Sequence, residues 1–463
     1  MKSSKTFLLR FLFLSLIHLT IFTLSTSKPC NNNYNPTSPD GQENISHQFF
    51  RLRNHQLSYP NPNLNFNTII AWILCFIASA ASSAGGVGGG SLFLPILTII
   101  AGLSLKSATA FSTFMVTAVT LAKVIYTLCF MDKSLINYEI TLLSEPCMLL
   151  GASIGVLCNI MFPEWLITAL FVVFLATSTA KTVQSGCKLW SKETEKERVR
   201  VEVEVEVEQR ESGIEVPLLK DEREVKGTGA PNLVPWKDLM VLVMVWMCFF
   251  VLHVLIGDEN GKGVINIKPC GVTYWLITLS QIPIAIGFTS YIMYAKRKKR
   301  EQANNVNDTD TASVIKHNLE SLPMYVFPVA AILTGVLSGL FGIGGGLLLN
   351  PVFLQIGVPP QTAAATSALM VSFSASMSMV QYILLGMTRI NEAVMYAILC
   401  FVASIVGLVT MQRLVARSGR VSLVVFLVSA LMVLSTVVIT LFGVLDVWKQ
   451  ITNGDYMGFK QLC

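Results

Sequence analysis

Two short glycine-rich segments hold the residues of this apolar chain that are best suited to binding an ion. One reads Gly85-Gly-Val-Gly-Gly-Gly90 and the other Phe341-Gly-Ile-Gly-Gly-Gly346, and each has a proline five residues after its last glycine. A glycine run favours unwinding of a helix and frees backbone N–H and C=O groups, which at membrane depth must line a cavity or contact a ligand. The candidate binding residues in these segments are Gly88, Gly89, Gly90, Pro95, Gly344, Gly345, Gly346 and Pro351.

Each glycine segment is followed by an apolar stretch whose first turns carry hydroxyl groups. Ser112 and Thr113 follow the first segment, and Thr366 and Ser367 follow the second. Because the N-terminus of a helix offers free N–H groups and the positive end of a dipole, we expect these hydroxyls to face an anion. Two alternatives stay open: the hydroxyls could bond only to carbonyls of their own helices, and the glycines could serve only close helix packing.

Three charged residues within or beside the apolar stretches are candidates for attracting or coupling an ion. Lys106 and Lys123 could attract an anion, and Glu145, which precedes a proline, could carry a coupling proton. The alternative for both lysines is that they reach the membrane interface. His253 lies near the end of an apolar stretch and is interpreted as an interfacial residue, although its type can titrate near neutral pH.

The composition indicates that a lipid bilayer must surround much of the chain. Of the 463 residues, 52% are apolar and only 13% are charged, which is too few charges to cover the surface of a soluble domain. The net charge of +6 is attributed to cytoplasmic loops, because no basic stripe with interleaved aromatics indicates nucleic acid. The sequence has no phosphate-binding loop and no His, Cys or acidic constellation of an enzyme, so we expect no catalysis, metal or cofactor.

Apolar stretches of membrane-spanning length predict an all-α polytopic membrane protein with about 12 transmembrane segments. The second and ninth segments, near 90–103 and 343–357, are short enough to be half-helices. The Val-Glu alternation at 201–208 is interpreted as solvated linker rather than strand. The predicted parts are a signal peptide (1–27), a disordered non-cytoplasmic arm (28–67), a first transmembrane repeat (68–186), a charged cytoplasmic linker (187–234), two connecting helices (235–295), a basic cytoplasmic loop (296–322), a second repeat (323–443) and a non-cytoplasmic tail (444–463).

The N-terminal residues predict entry through the secretory pathway into the plasma membrane or an endomembrane. A basic start precedes the apolar run Phe11–Leu24, as in a signal peptide, although an uncleaved first helix is the alternative. Asn44 begins an Asn-Ile-Ser sequon on the expected non-cytoplasmic side and is a predicted glycosylation site. A disulfide outside the spans is left open, because an odd number of cysteines is available there: Cys30, Cys270 and Cys463.

The two glycine segments belong to longer matching stretches of opposite predicted orientation. Ser112 aligns with Ser367, and Met115-Val116 aligns with Met370-Val371. A chain that begins outside and crosses at every segment places the basic cluster 296–300 in the cytoplasm, as the positive-inside rule predicts. Each repeat then holds five helices, an odd number, so the second repeat is inverted. Inverted repeats with Gly or Pro interruptions at matching positions are typical of transporters with a site near the membrane midplane.

The two glycine runs with their prolines, together with the alanine-rich stretch around Thr366-Ser367, resemble the TauE/SafE sulfite exporter family, also called the toluene-sulfonate uptake permease family. The signal peptide and the long linker resemble its plant branch. The resemblance implies passive or ion-coupled transport of sulfur-containing anions such as sulfite or sulfonates. Two departures affect the site: Phe111-Ser112 stands where the second copy has Thr366-Ser367, and Lys106 aligns with Gln361.

The sequence therefore predicts a secondary transporter that moves a small anion by alternating access at the two broken helices. The expected partners are the anionic solute, the lipid bilayer and a coupling ion, for which a proton is the candidate; nucleic acid is not expected. The alternative is a membrane receptor or scaffold without transport activity. The exact solute, the direction of transport and the oligomeric state are left open at this point.

Overall fold

The structure is a computed structural model that describes residues 66–85, 89–130, 135–210, 236–256, 271–304, 326–355, 358–387, 389–418, 422–453 and 458. The chain divides into a unit that ends at Ala71 and a unit from Trp72 to Cys463. All contacts given below lie within the second unit. Regular structure in the described residues is helical throughout, which confirms the predicted all-α class for this part of the chain.

The helices of the described residues fall at the positions of the predicted apolar segments. Six of them, α2, α4, α7, α8, α9 and α10, carry a proline at an end or inside the helix. In chain order the helices are α1 (Phe66–Gly85), α2 (Gly90–Pro95, continued by a π-helical turn at Ile96–Ile100), α3 (Leu105–Phe130), α4 (Tyr138–Met161), α5 (Glu164–Arg210), α6 (Trp236–Ile256), α7 (Val272–Asn304), α8 (Val326–Phe341), α9 (Gly346–Gln355), α10 (Pro360–Leu384), α11 (Ile390–Ser418) and α12 (Ser422–Asn453).

Helix length separates full crossings from shorter segments. Eight helices of the described residues are long and apolar enough to cross a membrane, and shorter apolar helices lie at Gly90–Ile100, Phe327–Phe341 and Met432–Leu445. The 10 residues of α9 span about 15 Å, half of a hydrocarbon core of about 30 Å. The chain is thus a multi-pass membrane protein, and α2 and α9 have the lengths of the half-helices that the sequence predicts.

The most extensive helix contact joins α4 and α8, which run parallel. A Cβ on Gly151 would lie 3.1 Å from Cα of Gly335, and a Cβ on Gly155 would lie 2.8 Å from the amide nitrogen of Leu340. Glycine at these positions lets the two backbones touch, as in small-xxx-small membrane interfaces. The side-chain amide of Asn159 then donates to the carbonyl of Leu340 at 2.7 Å, which closes the same interface.

A second parallel contact, between α1 and α11, is made through serine hydroxyls. Ser79 Oγ donates to the carbonyl of Cys400 at 2.8 Å, and Ser83 Oγ donates to that of Ser404 at 3.2 Å. Hydrogen bonds of this kind hold membrane helices together where apolar burial gives little driving force. Residues 72–85 therefore pack parallel to α11, as α8 packs parallel to α4.

Two further pairs of helices run antiparallel. Along α3 and α10, Val124 packs with Ala365 while Ala110 packs with Tyr382. Along α5 and α12, Thr179 Oγ1 lies 3.4 Å from Thr436 Oγ1, and a Cβ on Gly443 would lie 2.6 Å from Thr168 Cγ2. In both pairs, early residues of one helix thus meet late residues of the other.

Helix α5 continues well past the predicted end of the first repeat at residue 186. It reaches Arg210, so residues 187–210 of the predicted linker are helical, including the Val-Glu alternation. Glu193, Glu195 and Glu197 each precede a lysine or arginine by three residues, a spacing that stabilises a helix. The rest of the predicted linker, residues 211–234, falls on residues that the structure does not describe.

Candidate functional site

The second glycine segment breaks the helical path between α8 and α9. Helix α8 ends at Phe341 and α9 begins at Gly346. Between them Gly342, Gly344 and Gly345 have φ angles of 64°, 77° and 62°. These left-handed conformations are disfavoured for residues with a Cβ, so the glycines are what allows the break.

Three consecutive backbone N–H groups in this break have no acceptor among the described residues: those of Ile343, Gly344 and Gly345. All three residues are buried. The hydroxyl of Ser338, one turn earlier in α8, is also buried without a hydrogen-bond partner in the described part of the chain. Buried N–H groups are almost always paired in proteins, so these donors are suited to a ligand with several acceptor atoms.

The first glycine segment meets the second one directly. Gly89 has a φ of 79° and precedes α2, and Gly90 is the first residue of that helix. A Cβ on Gly90 would lie 2.8 Å from the carbonyl carbon of Ile343, so the two broken helices touch through their backbones. Pro95 is buried at the end of α2, and Gly88 lies outside the described residues.

Corresponding residues of the two longest buried helices enclose the second break. A Cβ on Gly344 would touch Val116 of α3 and would lie 2.7 Å from Cγ1 of Val371 of α10. These two valines are the pair that the sequence alignment matches. On the same face of α3, Ser112 Oγ donates to the carbonyl of Gly342 at 2.7 Å. The prediction that Ser112 lies at a glycine break is thus consistent with the structure.

The other three predicted hydroxyls have different surroundings. Thr113 Oγ1 donates to the carbonyl of Ala110 in its own helix at 2.7 Å, the arrangement that the alternative interpretation expects. Thr366 Oγ1 accepts from the backbone N–H of Asn137 at 2.9 Å. Ser367 Oγ donates to Oδ1 of Asn350 at 2.6 Å, which ties α10 to α9. Gly346 and Pro351 both lie in α9 itself.

The two candidate lysines differ sharply. Lys106 donates from Nζ to the carbonyl of Ile160 at 2.6 Å and thereby joins α3 to the end of α4. Lys123 is 7% exposed and thus lies inside the helix bundle in the described conformation. It lies seven residues beyond Val116 on the same face of α3, which is about 10 Å farther along the helix axis.

Glu145 is fully buried in α4, and neither carboxyl oxygen has a hydrogen-bond partner in the part of the chain that the structure describes. It shares a face of α4 with Met148, three residues later. A Cβ on Gly345 would lie 3.0 Å from Cε of Met148. Glu145 therefore lies about one helical turn from a residue that packs against the second break.

Several features of the site were not predicted from the sequence. His253, interpreted from the sequence as interfacial, is 8% exposed within the bundle, and its Nε2 lies 2.7 Å from Nε2 of Gln381. The unpaired hydroxyl of Ser338 has no sequence signal of its own. The α4–α8 interface does have a sequence signal, since Gly151 and Gly155 match the spacing of Gly335 and Gly339.

Other candidate features lie outside the described residues, or are absent within them. Asn44 and the cysteines outside the spans, Cys30, Cys270 and Cys463, fall on residues that the structure does not describe. None of the cysteines that it does describe forms a disulfide bond within the described residues. No group of three or more His, Cys, Asp or Glu side chains in the described ranges could hold a metal ion.

Comparison with known proteins shows the family of the chain. The sequence profile of the family described as sulfite exporter TauE/SafE matches residues 3–182 and 239–449. The chain belongs to the TauE/SafE sulfite exporter family. The two matched regions contain the glycine breaks and the helices that enclose them. This family assignment identifies the chain as an integral membrane protein of a transporter family.

Relatives from Arabidopsis thaliana match over nearly the full length. Sulfite exporter TauE/SafE family protein 5 is 44% identical over 457 residues, which cover 97% of this chain and 99% of the relative. Family protein 2 is 45% identical over 418 residues, covering 88% and 90%. Family protein 1 is 43% identical over 464 residues, covering 98% of each. No solved structure matches the chain significantly.

Proposed function

We propose that this protein is a secondary transporter of small sulfur-containing anions, such as sulfite or sulfonates, which bind at the contact between the two glycine breaks. The observation that carries the proposal is the row of backbone N–H groups at Ile343, Gly344 and Gly345, which find no acceptor in the described part of the chain. They lie at the N-terminal end of α9, where the helix dipole also favours negative charge. An oxyanion with three oxygens can accept hydrogen bonds from several of these donors at once.

The buried ammonium of Lys123 supports an anionic rather than a neutral solute. A positive charge inside a membrane protein is costly and is usually associated with a charged partner or an ion path. No acceptor for this ammonium lies among the described residues. Because Lys123 is on the α3 face that meets the second break, its charge adds to the attraction that the free N–H groups provide.

Inversion of the two repeats would give the alternating access that the proposal requires. In the two repeats α4 corresponds to α11, and α8 corresponds to α1. The contact of α4 with α8 therefore has a counterpart in the contact of α11 with α1, and both contacts are present. The corresponding helices α3 and α10 run antiparallel, as do α5 and α12. These directions support two inverted copies, which could rock about a shared midplane site.

Glu145 is the proposed proton carrier. It is buried about one helical turn from a residue that packs against the second break, and its carboxyl group has no partner in the described residues. An ionised carboxylate in such surroundings is costly, so we propose that proton binding at Glu145 accompanies one step of the transport cycle.

Flux measurements in proteoliposomes test the function directly. Purified full-length protein is reconstituted, and uptake of sulfite, a sulfonate and chloride is followed with and without a proton gradient. Saturable flux of sulfite or the sulfonate above that of protein-free liposomes is expected. Absence of flux for all three anions would instead favour a receptor or scaffold.

A further inference from the structure

A separate cavity lies between α4, α6, α7 and α10, away from both glycine breaks. Its volume is about 220 Å³, and its walls are mainly leucine and isoleucine side chains. Three wall residues, Ile154, Trp275 and Ile282, are also 38%, 43% and 41% exposed on the outside of the helix bundle. Because these residues belong to membrane-spanning helices, the cavity opens sideways towards the lipid.

The inner end of the cavity is polar and uncharged. Gln381 donates from Nε2 to Ser153 Oγ at 2.8 Å and to Nε2 of His253 at 2.7 Å. The other ring nitrogen of His253 lies 2.8 Å from the carbonyl of Phe249, which can only accept. In the neutral ring Nδ1 therefore carries the hydrogen, and Nε2 offers the lone pair that Gln381 uses.

Gln281 completes the polar end but lacks good partners. Its Nε2 lies 3.5 Å from the same nitrogen of His253, whose single lone pair already accepts from Gln381 at the shorter distance. Within the described residues, neither Oε1 of Gln281 nor Oε1 of Gln381 accepts a hydrogen bond. The two residues are only 2% and 4% exposed, and a polar atom that lacks a partner at such a position is costly, so the two oxygens are available to a ligand.

We propose that this cavity binds a membrane lipid through an uncharged hydroxyl group. The hydroxyl donates to Oε1 of Gln381 and accepts from Nε2 of Gln281, so each of the two amides gains one partner. No ionisable acid, lysine or arginine lines the cavity in the described part of the chain, so a charged headgroup has no counterion there. A sterol and a diacylglycerol share this chemistry.

The size of the cavity indicates how such a lipid would lie. A volume of about 220 Å³ encloses only the hydroxyl end, while the apolar remainder extends past Ile154 and Trp275 into the bilayer. The lipid would join α7 to α10, the helix whose Val371 lies against Gly344. This proposal does not depend on which solute is transported.

Photo-labelling of the full-length protein in phosphatidylcholine liposomes tests the site. One arm uses a photoactivatable sterol and the other a photoactivatable diacylglycerol, each with and without the unlabelled lipid, and labelled peptides are located by mass spectrometry. Gln281→Leu removes the hydrogen-bonding groups at similar size, and Ile154→Trp narrows the opening. Ile398→Trp is the control, because Ile398 is 58% exposed on α11 and does not line the cavity.

We expect saturable labelling of α4 or α7 peptides by at least one lipid, reduced about tenfold in Gln281→Leu and Ile154→Trp and unchanged in Ile398→Trp. The same unlabelled lipid should raise the thermal unfolding midpoint of the original protein and of Ile398→Trp, but not of Ile154→Trp. The unlabelled lipid that reduces the labelling shows whether the site binds a sterol or a diacylglycerol. Labelling that neither lipid competes, or that is equal in all variants, overturns the proposal.

Discussion

Gly90 is the residue at which the two broken helices touch, and it has no space for a side chain. A Cβ there would lie 2.8 Å from the carbonyl carbon of Ile343. Gly90→Ala should therefore push the breaks apart, cost about 1–3 kcal/mol in the free energy of unfolding and lower sulfite flux at least tenfold. Gly287→Ala is the control, because nothing lies within 4 Å of a Cβ at that position. Equal flux in the two variants would contradict a functional contact.

Lys123 tests the charge of the solute. Lys123→Met keeps most of the side-chain volume but removes the positive charge, whereas Lys123→Arg retains it. We expect the KM for sulfite to rise roughly tenfold in Lys123→Met and less in Lys123→Arg, because a charge about 10 Å away contributes on the order of 1–2 kcal/mol at an effective dielectric constant of about 20. Concentration-dependent flux in proteoliposomes measures both. An unchanged KM in Lys123→Met would show that the ammonium does not act on the anion.

Glu145→Gln separates proton coupling from anion binding. Glutamine has nearly the same shape but cannot release a proton, so flux driven by a pH gradient should be lost while exchange of labelled for unlabelled sulfite persists. Both fluxes are measured on the same vesicles. If the gradient accelerates flux equally with and without the carboxyl group, the coupling group lies elsewhere.

At the scale of helices, the interface of α4 and α8 should depend on its glycines. A Cβ on Gly335 would lie 2.9 Å from the amide nitrogen of Ala152 and 3.0 Å from Cα of Gly151. Since backbone cannot move aside as a flexible side chain can, Gly335→Ala should lower the thermal midpoint and cost about 1–3 kcal/mol. Thermal unfolding of Gly335→Ala, with Gly287→Ala as the control, measures the change in the midpoint. A midpoint unchanged from the original protein would mean that the helices separate without cost.

The elements that could be predicted are those with a local signal. Apolar length places the helices, and consecutive glycines place the breaks at Gly89 and Gly345, because backbone conformation depends on the residue itself. Which surfaces meet is a long-range property. The sequence therefore did not show that Gly90 meets Ile343, that Lys123 is buried, or that His253 pairs with Gln381. The matching Gly-x-x-x-Gly spacings in α4 and α8 do indicate a long-range contact, because such spacings are typical of close helix packing.

For the whole molecule, the proposed topology places Cys187 and Asn44 on opposite sides of the membrane. Cys187 is exposed on α5 beyond the apolar part of that helix. In a variant that keeps Cys187 as its single cysteine, a membrane-impermeant maleimide should react only when applied from the cytoplasmic side. Asn44→Gln should remove a glycosidase-sensitive shift in electrophoretic mobility. Labelling of Cys187 from the non-cytoplasmic side would overturn the predicted orientation.

The 47 residues of α5 also make the movement of the membrane part visible outside it. A continuous helix of that size is about 70 Å long, more than twice the hydrocarbon thickness. Its far end lies about 50 Å from the middle of the bilayer, so a tilt of about 10° would displace that end by about 9 Å. A pair of spectroscopic probes, one near Arg210 and one on a cytoplasmic helix end of the other half, would then register each half-cycle as a change in distance. A cellular protein bound to this end could in the same way hold the carrier in one of its two orientations.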